Sequence, residues 1–350
     1  MLLSELLPAL SPYGFSSAVV LPRSSKLAPV LEKANITLLF AGKADNAFSV
    51  SDILSYLGLF HKKPPDLVVS HGSLSAKLAA KLLSHPCVSV KHCDLPVRHP
   101  RLYRALTDAT VATSLPCARH LTEEGIFPVA CIENGFSPVG APTDAERETA
   151  RAALSIPSGA IAIGLCARLA PVKGHETAIR ALSLLGEEGR PLRLLFLGDG
   201  EERERLRALS RALGVTGQVH FLGFSAETKG FYHALDAHLS CSLASETSSL
   251  SLAEGMSAAL PTVASDTEGN RARVSGGGLL YPVGDASALA ECFRLLLRRR
   301  ERERLRSAAI YRAAELPSFT ETARAYAAVF AALTAKKEKN GCFFHRSMLQ

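Results

Sequence analysis

SETSSLSLAEG, residues 245–255, is the stretch on which the reading of this chain turns. The apolar run Ala237–Leu243 (AHLSCSL) precedes it and predicts a buried strand, and the stretch then opens a helix. Thr247, Ser248 and Ser249 are good N-cap residues, and the predicted helix runs to about Ala259, ahead of Pro261. Glu246 falls in the turn and Glu254 about two turns in, which separates the carboxylates by roughly 10–12 Å. That spacing suits a ligand with two polar ends and an anionic middle. Backbone N–H groups at 247–250 would meet phosphates with the help of the helix dipole, and each carboxylate would accept from hydroxyls. The competing reading is a capped core helix with no ligand. Glu254 weighs against it, because it lies mid-helix between Leu250 and Ala258, where no solvated face is evident.

Outward from this stretch, the chain alternates apolar runs with helical patterns. Strands are predicted at Ser16–Leu21, Ile36–Phe40, Leu67–Ser70, Val88–Lys91, Ala109–Thr113 and Val129–Glu133 in the first half. The second half adds Ala160–Cys166, Leu192–Leu197, Val219–Leu222, Ala237–Leu243, Thr262–Ser265 and Gly278–Tyr281. Helical periods between them include Ser49–Phe60, Leu74–Leu83, Leu115–Glu124, Thr143–Leu154, Glu176–Leu185 and Glu201–Leu213. Such alternation with short connections argues an α/β fold with doubly wound parallel sheets. ENGFSPVGAPT at 133–143, rich in Gly and Pro, is the best linker. The expected division is therefore an amino-terminal domain at 1–139 and a second domain at 140–316. A capping box, Ser318 to Glu321, opens a last helix at 318–335 with a stripe of Phe319, Ala323, Tyr326, Phe330 and Leu333. Residues 336–350 lack a period and are expected to form a frayed tail.

Composition bounds the function. At 350 residues the chain can bury two cores. No apolar run approaches the 18 or so residues of a membrane span. MLLSELLPAL carries Glu5 and no basic leader, so it reads as a first helix rather than a signal peptide. The eight cysteines have no CxxC or metal-like spacing, which indicates a reducing, cytoplasmic compartment and no metal. Much of the net charge of +7 comes from RRRERERLR at 298–306, a mixed-sign run that reads as a solvated helix face. Nucleic acid is not expected as a partner.

Three further segments could carry chemistry. IGLCARLAPVKGHE at 163–176 leaves a strand and enters a helix, placing Arg168 and Lys173 at the strand's carboxyl end. There they could clamp a diphosphate, or simply be surface cations. LGDG at 197–200 is a glycine turn but not a GxGxxG fingerprint, and no such fingerprint occurs in the chain. VHFLGF at 219–224 ends a strand at Gly223, where backbone groups could read a base edge or merely turn.

ARLAPVKG, LGDG, VHFLGF and ETSSLSLAEGMSAALPTVAS, in this order, resemble the donor domain of a GT-B glycosyltransferase of family 4, the retaining nucleotide-sugar enzymes. The likeness spans roughly Ile161–Leu297. It implies two Rossmann-like domains facing across a cleft, the first on the acceptor side and the second binding the donor. Glu246 and Glu254, with seven residues between them, match the family's glutamate pair: Glu254 would bind the ribose and Glu246 would hold the sugar. Thr247, Ser248, Ser249 and Leu250 would offer N–H groups to the sugar and diphosphate. Arg168 and Lys173 match the basic pair that stabilises the departing diphosphate, a role suited to preorganised cations.

In the amino-terminal half the likeness is thinner. SHGSLSAK at 70–77 and VSVKHCD at 88–94 match strand-end segments, and His92 falls where a His faces the reacting sugar. His71 carries less weight. Family members begin with a strand and a glycine-rich loop. Here the first helix starts at Met1, so the sheet is expected to lack a central strand and leave exposed edges. Ala272 stands in EGNRARV where many relatives carry a glutamate.

The resemblance thus implies a retaining, metal-independent transfer from a UDP or GDP sugar to a glycan or lipid-linked acceptor, as in polysaccharide biosynthesis. A lipid-linked acceptor would bring the protein to the inner face of the membrane. The alternatives are a catalytically silent nucleotide-sugar-binding remnant, or another GT-B enzyme such as a sugar-nucleotide epimerase.

Overall fold

The computed structural model describes residues 2–25, 27–42, 49–92, 96–244 and 248–346. The chain divides into two compact units, Met1–Gly135 with Pro317–Gln350, and Phe136–Leu316.

The first unit runs α1 (Leu2–Leu10), β1 (Ala18–Leu21), α2 (Ala28–Lys33), β2 (Thr37–Phe40), α3 (Val50–Lys62), β3 (Val68–Ser70) and α4 (Leu74–Leu82). It continues with β4 (Cys87–Lys91), α5 (Pro100–Leu106), β5 (Ala109–Ala112), α6 (Leu115–Glu123) and β6 (Val129–Cys131). The second unit follows as α7 (Asp144–Ala153), β7 (Ile161–Cys166), α8 (His175–Leu184), β8 (Leu192–Leu197), α9 (Arg203–Ala212), β9 (Val219–Gly223), α10 (Lys229–Ala234) and β10 (Ala237–Ser240). It closes with α11 (Leu250–Ser257), β11 (Thr262–Ser265), α12 (Glu268–Val274), β12 (Leu279–Tyr281), α13 (Ala286–Leu297) and α14 (Arg299–Ala314), before α15 (Phe319–Arg346) returns to the first unit.

Among the described residues every pairing between these strands is parallel. In the second unit six strands lie in the order β12-β11-β10-β7-β8-β9. β7 is a continuous apolar run and β8 nearly so because helices cover both faces of a parallel sheet, and Phe196, Leu194, Ile163 and Leu239 are almost wholly buried. The chain leaves β7 in one direction and leaves β10 in the other, so the order reverses between these two neighbours. In an open α/β sheet that reversal leaves a crevice at the carboxyl ends of the two strands. β9 is an edge strand, and Arg207 and Arg211 of α9 line a cavity of about 350 Å³ beside it. Charged side chains there discourage pairing with another chain.

The first unit has a four-stranded sheet, β3-β4-β5-β6, and a separate two-stranded sheet, β1-β2. Among the described residues no strand pairs with the free edges of β1 and β3. Helix α1 spans the discontinuity: Leu7 packs into the apolar cluster of each sheet. α15 buries Ala323, Tyr326 and Phe330 against Leu6 and Leu10 of α1 and Val88, Val90 and Val111 of the sheet. The capping box holds its start, with Ser318 N donating to Glu321 Oε2 at 2.8 Å and Glu321 N to Ser318 Oγ at 3.2 Å. One expectation is corrected here. The stretch read as a frayed tail from 336 stays helical to Arg346. Its Lys and Glu residues are strong helix formers and no proline interrupts them, so an aperiodic pattern did not mean an irregular backbone.

Candidate functional site

The crevice between β7 and β10 is built from the loops that the sequence singled out, and backbone bonds lock them together. After β7, Ala167 N donates to Leu197 O and Leu169 N to Asp199 O, both at 3.0 Å, which ties the Arg168 loop to the LGDG turn. Gly198 N donates to Gly223 O at 2.8 Å, which ties that turn to the end of β9. On the other side, Leu243 N donates to Val172 O at 2.8 Å, joining the loop after β10 to the loop that carries Lys173. Gly174 closes this junction at a φ of +63°. A Cβ there would lie 2.0 Å from the Cys241 carbonyl oxygen, so only glycine fits.

Within this frame Arg168 is exposed and its guanidinium forms no hydrogen bond or ion pair with the described residues, while Lys173 is half-buried. Glu246 and Thr247 lie outside the described residues. Ser249 is the N-cap of α11, yet its side chain makes no capping bond. Its hydroxyl instead lies 3.2 Å from Ser251 Oγ. Among the described residues the first-turn N–H groups of α11 are thus left without a side-chain acceptor, where an anion is favoured. The Ser248 hydroxyl is buried without a partner among the described residues, an arrangement that costs free energy unless a ligand or water completes it.

Glu254 lies mid-helix on α11, and burial pushes its carboxyl upward from the ordinary range. Tyr232 of α10 donates its hydroxyl to Glu254 Oε2 at 2.8 Å. The Cys166 thiol, at the carboxyl end of β7, stands beside both and is itself raised to about 11 by burial and the Glu254 charge. Tyr232 and Cys166 were not among the candidate site residues that the sequence singled out. The available signal was a phenol in FYHALD, a segment short and apolar enough to be buried, since a buried tyrosine hydroxyl needs a partner.

His71 and His92 follow the adjacent strands β3 and β4 in the first unit. Their rings stack 5.0 Å apart, with His71 Nδ1 2.7 Å from His92 Nε2. One nitrogen must donate and the other accept, so the two rings cannot both carry full positive charge in this geometry. Desolvation and then the neighbouring His92 lower His71 to about 4, and desolvation lowers His92 as well. The sequence pointed to His92 and gave His71 less weight, and it held no sign that the two rings pair. Ala272 is exposed on α12, where Arg312 Nη2 donates to its carbonyl.

This geometry is accompanied by similarity to known proteins. Residues 146–314 match the family model for glycosyl transferases group 1. That match lies within the second unit, and the chain has the GT-B fold of two Rossmann-like domains. Among its relatives, the lipopolysaccharide core biosynthesis glycosyltransferase LpsE of Rhizobium meliloti is 33% identical over 142 residues, which cover 40% of each protein. The 2-deoxystreptamine glucosyltransferase of Streptomyces kanamyceticus is 27% identical over 251 residues, covering 63% of this chain and 64% of that protein. The matched part is thus less than two thirds of either relative. The solved structure of Anabaena HepE in complex with UDP-glucose superposes with a TM-score of 0.82 at 20% identity, covering 94% of this chain and 96% of that one. That likeness carries the fold. No helix among the described residues is long and apolar enough to cross a membrane.

Proposed function

We propose that the protein transfers a glycosyl group, with retention of configuration, from a UDP or GDP sugar to a glycan or lipid-linked acceptor hydroxyl. The observation that carries this is the convergence at the β7/β10 crevice. The Arg168–Lys173 loop, the uncapped start of α11 and the Glu254 carboxylate belong to one interlocked set of loops in a group 1 glycosyltransferase domain. In this reading α11 and the two cations take the diphosphate, the Gly223 backbone meets the base, and Glu254 accepts from the ribose hydroxyls.

In the reaction the bond between the sugar's anomeric carbon and the diphosphate oxygen breaks, and its electron pair stays on the diphosphate. The acceptor hydroxyl bonds to the anomeric carbon on the face just vacated and gives its proton to a diphosphate oxygen. Negative charge grows on the leaving group, and Arg168 and Lys173 oppose it in a fixed geometry, which is why no metal is required. Glu246, Thr247 and His92 are assigned to the sugar on the strength of the family resemblance. Relatives named for lipopolysaccharide core synthesis and structures solved with UDP-glucose support the substrate classes. An acceptor held at the inner face of the membrane accords with a cytoplasmic, peripheral enzyme.

Thermal denaturation with UDP, GDP, ADP and their sugars tests the donor. A ligand at a hundred times its Kd adds about 2.7 kcal/mol to the folded state. A shift selective for one base is expected, unaffected by EDTA and lost in Glu254→Gln. A cooperative melt that no nucleotide moves removes the proposal.

A further inference from the structure

Tyr232 of α10 has no accessible surface. Its ring sits 5.5 Å from Phe231 in an edge contact and 5.6 Å from His238, so its position is set by packing on both sides. Burial, Cys166 and Glu254 raise the phenol well above its ordinary value, which keeps it protonated and therefore a donor. Its hydroxyl reaches Glu254 Oε2 at 2.8 Å, while Oε1 makes no hydrogen bond with the described residues.

We infer that Tyr232 is the positioning residue for Glu254: it fixes one carboxylate oxygen so that the other is presented to a vicinal diol, the ribose of a nucleoside diphosphate. This rests on the donor reading above. An unbound glutamate retains several side-chain rotamers, and freezing them on binding costs affinity. A carboxylate already held by a buried phenol has lost that freedom on folding, so the diol meets a preorganised acceptor.

The same bond also acts on charge. Burial raises the Glu254 carboxyl, whereas the Tyr232 hydrogen bond favours its ionised form and lowers it. The titratable side chains packed against it in the second unit do not supply that effect. Cys166, from β7, stays a neutral thiol. His238, from β10 and packed under Gly255, is held neutral with a value of about 3. α12 and α14 meet α11 through apolar side chains, Val274, Ala309 and Ala313. Without the phenol, Glu254 would take up a proton nearer to neutral pH and stop accepting from both hydroxyls of a diol.

The test is calorimetric titration of wild type, Tyr232→Phe and Glu254→Gln with UDP and with GDP, from pH 5.5 to 8.5. Tyr232→Phe keeps the ring and removes only the hydroxyl. It is expected to weaken binding of the preferred nucleotide about tenfold at pH 7.5, and by a further factor that grows as pH falls. Wild-type affinity should fall less steeply with decreasing pH than that of Tyr232→Phe. Equal affinity and an equal pH profile in wild type and Tyr232→Phe overturn the inference while the donor reading stands, provided Glu254→Gln has lost binding. Failure of wild type to bind either nucleotide overturns the donor reading and this inference with it. If Tyr232→Phe does not fold, the wild-type profile decides: a fall beginning above pH 7 shows a carboxylate that the phenol does not hold ionised, and overturns the inference.

Discussion

Replacing Lys173 with alanine is expected to lower kcat by about 10²–10³-fold, the effect of removing one preorganised donor from developing negative charge. The loop that carries Lys173 cannot move aside to compensate. Val172 accepts from Leu243 N, and Gly174 is pressed against the Cys241 carbonyl, so the 171–174 turn is fixed to the loop that leads into α11. The charge is thus lost from a position the backbone still defines. KM for the donor should change far less than kcat, because a leaving group stabilised only as the bond breaks contributes little in the ground state. Lys173→Arg should recover part of the loss, since it keeps the charge with a different shape. Steady-state kinetics with the nucleotide sugar identified by thermal shift would check this. Unchanged turnover in Lys173→Ala removes the residue from the leaving-group site.

The second large effect is acid lability. His238 is fully buried with neither ring nitrogen hydrogen-bonded to described residues, and burial lowers it to about 3. His175, at the start of α8 against Phe196, is lowered to about 4 by burial and then by the Lys173 charge. Both folded values lie below the ordinary 6.5, so the unfolded chain binds more protons between pH 6.5 and about 4. Stability is therefore fully present above pH 6.5 and falls as pH drops through that window. Each histidine contributes a slope of about 1.4 kcal/mol per pH unit there. Denaturant melts at pH 7.0 and 5.0 should differ by several kcal/mol, and His238→Leu should flatten part of the difference. A midpoint that does not move with pH would mean that these rings are hydrated in the folded state.

The strand pattern was open to reading from the chain alone. Each predicted strand has a counterpart among β1–β12, most with bounds within two residues, because parallel strands buried on both faces are written as continuous apolar runs. Leu192–Leu197 and Thr262–Ser265 coincide with β8 and β11. The short helices were harder. α5 and α10 hold seven and six residues, less than two turns, and a window that small carries no period. The end of α15 was missed for the reverse reason, since backbone propensity extends a helix past the point where its apolar stripe stops.

For the site, local sequence determined which groups are present. The serines ahead of α11, Glu254, and the Arg168 and Lys173 loop could all be named from residue type and spacing, because capping, helix dipoles and strand-end loops are local properties. What brings these segments together is not local. The reversal of strand order between β7 and β10 joins loops some seventy residues apart, and only the packed sheet creates it. The Tyr232–Glu254 bond and the His71–His92 pair likewise span 22 and 21 residues. No periodicity records a contact between two helices or two strand ends. Gly255 illustrates the division. The sequence places a glycine after Glu254, and only the fold shows that a Cβ there would lie 2.6 Å from the buried His238 ring, so α11 can sit on β10 with its carboxylate at the crevice.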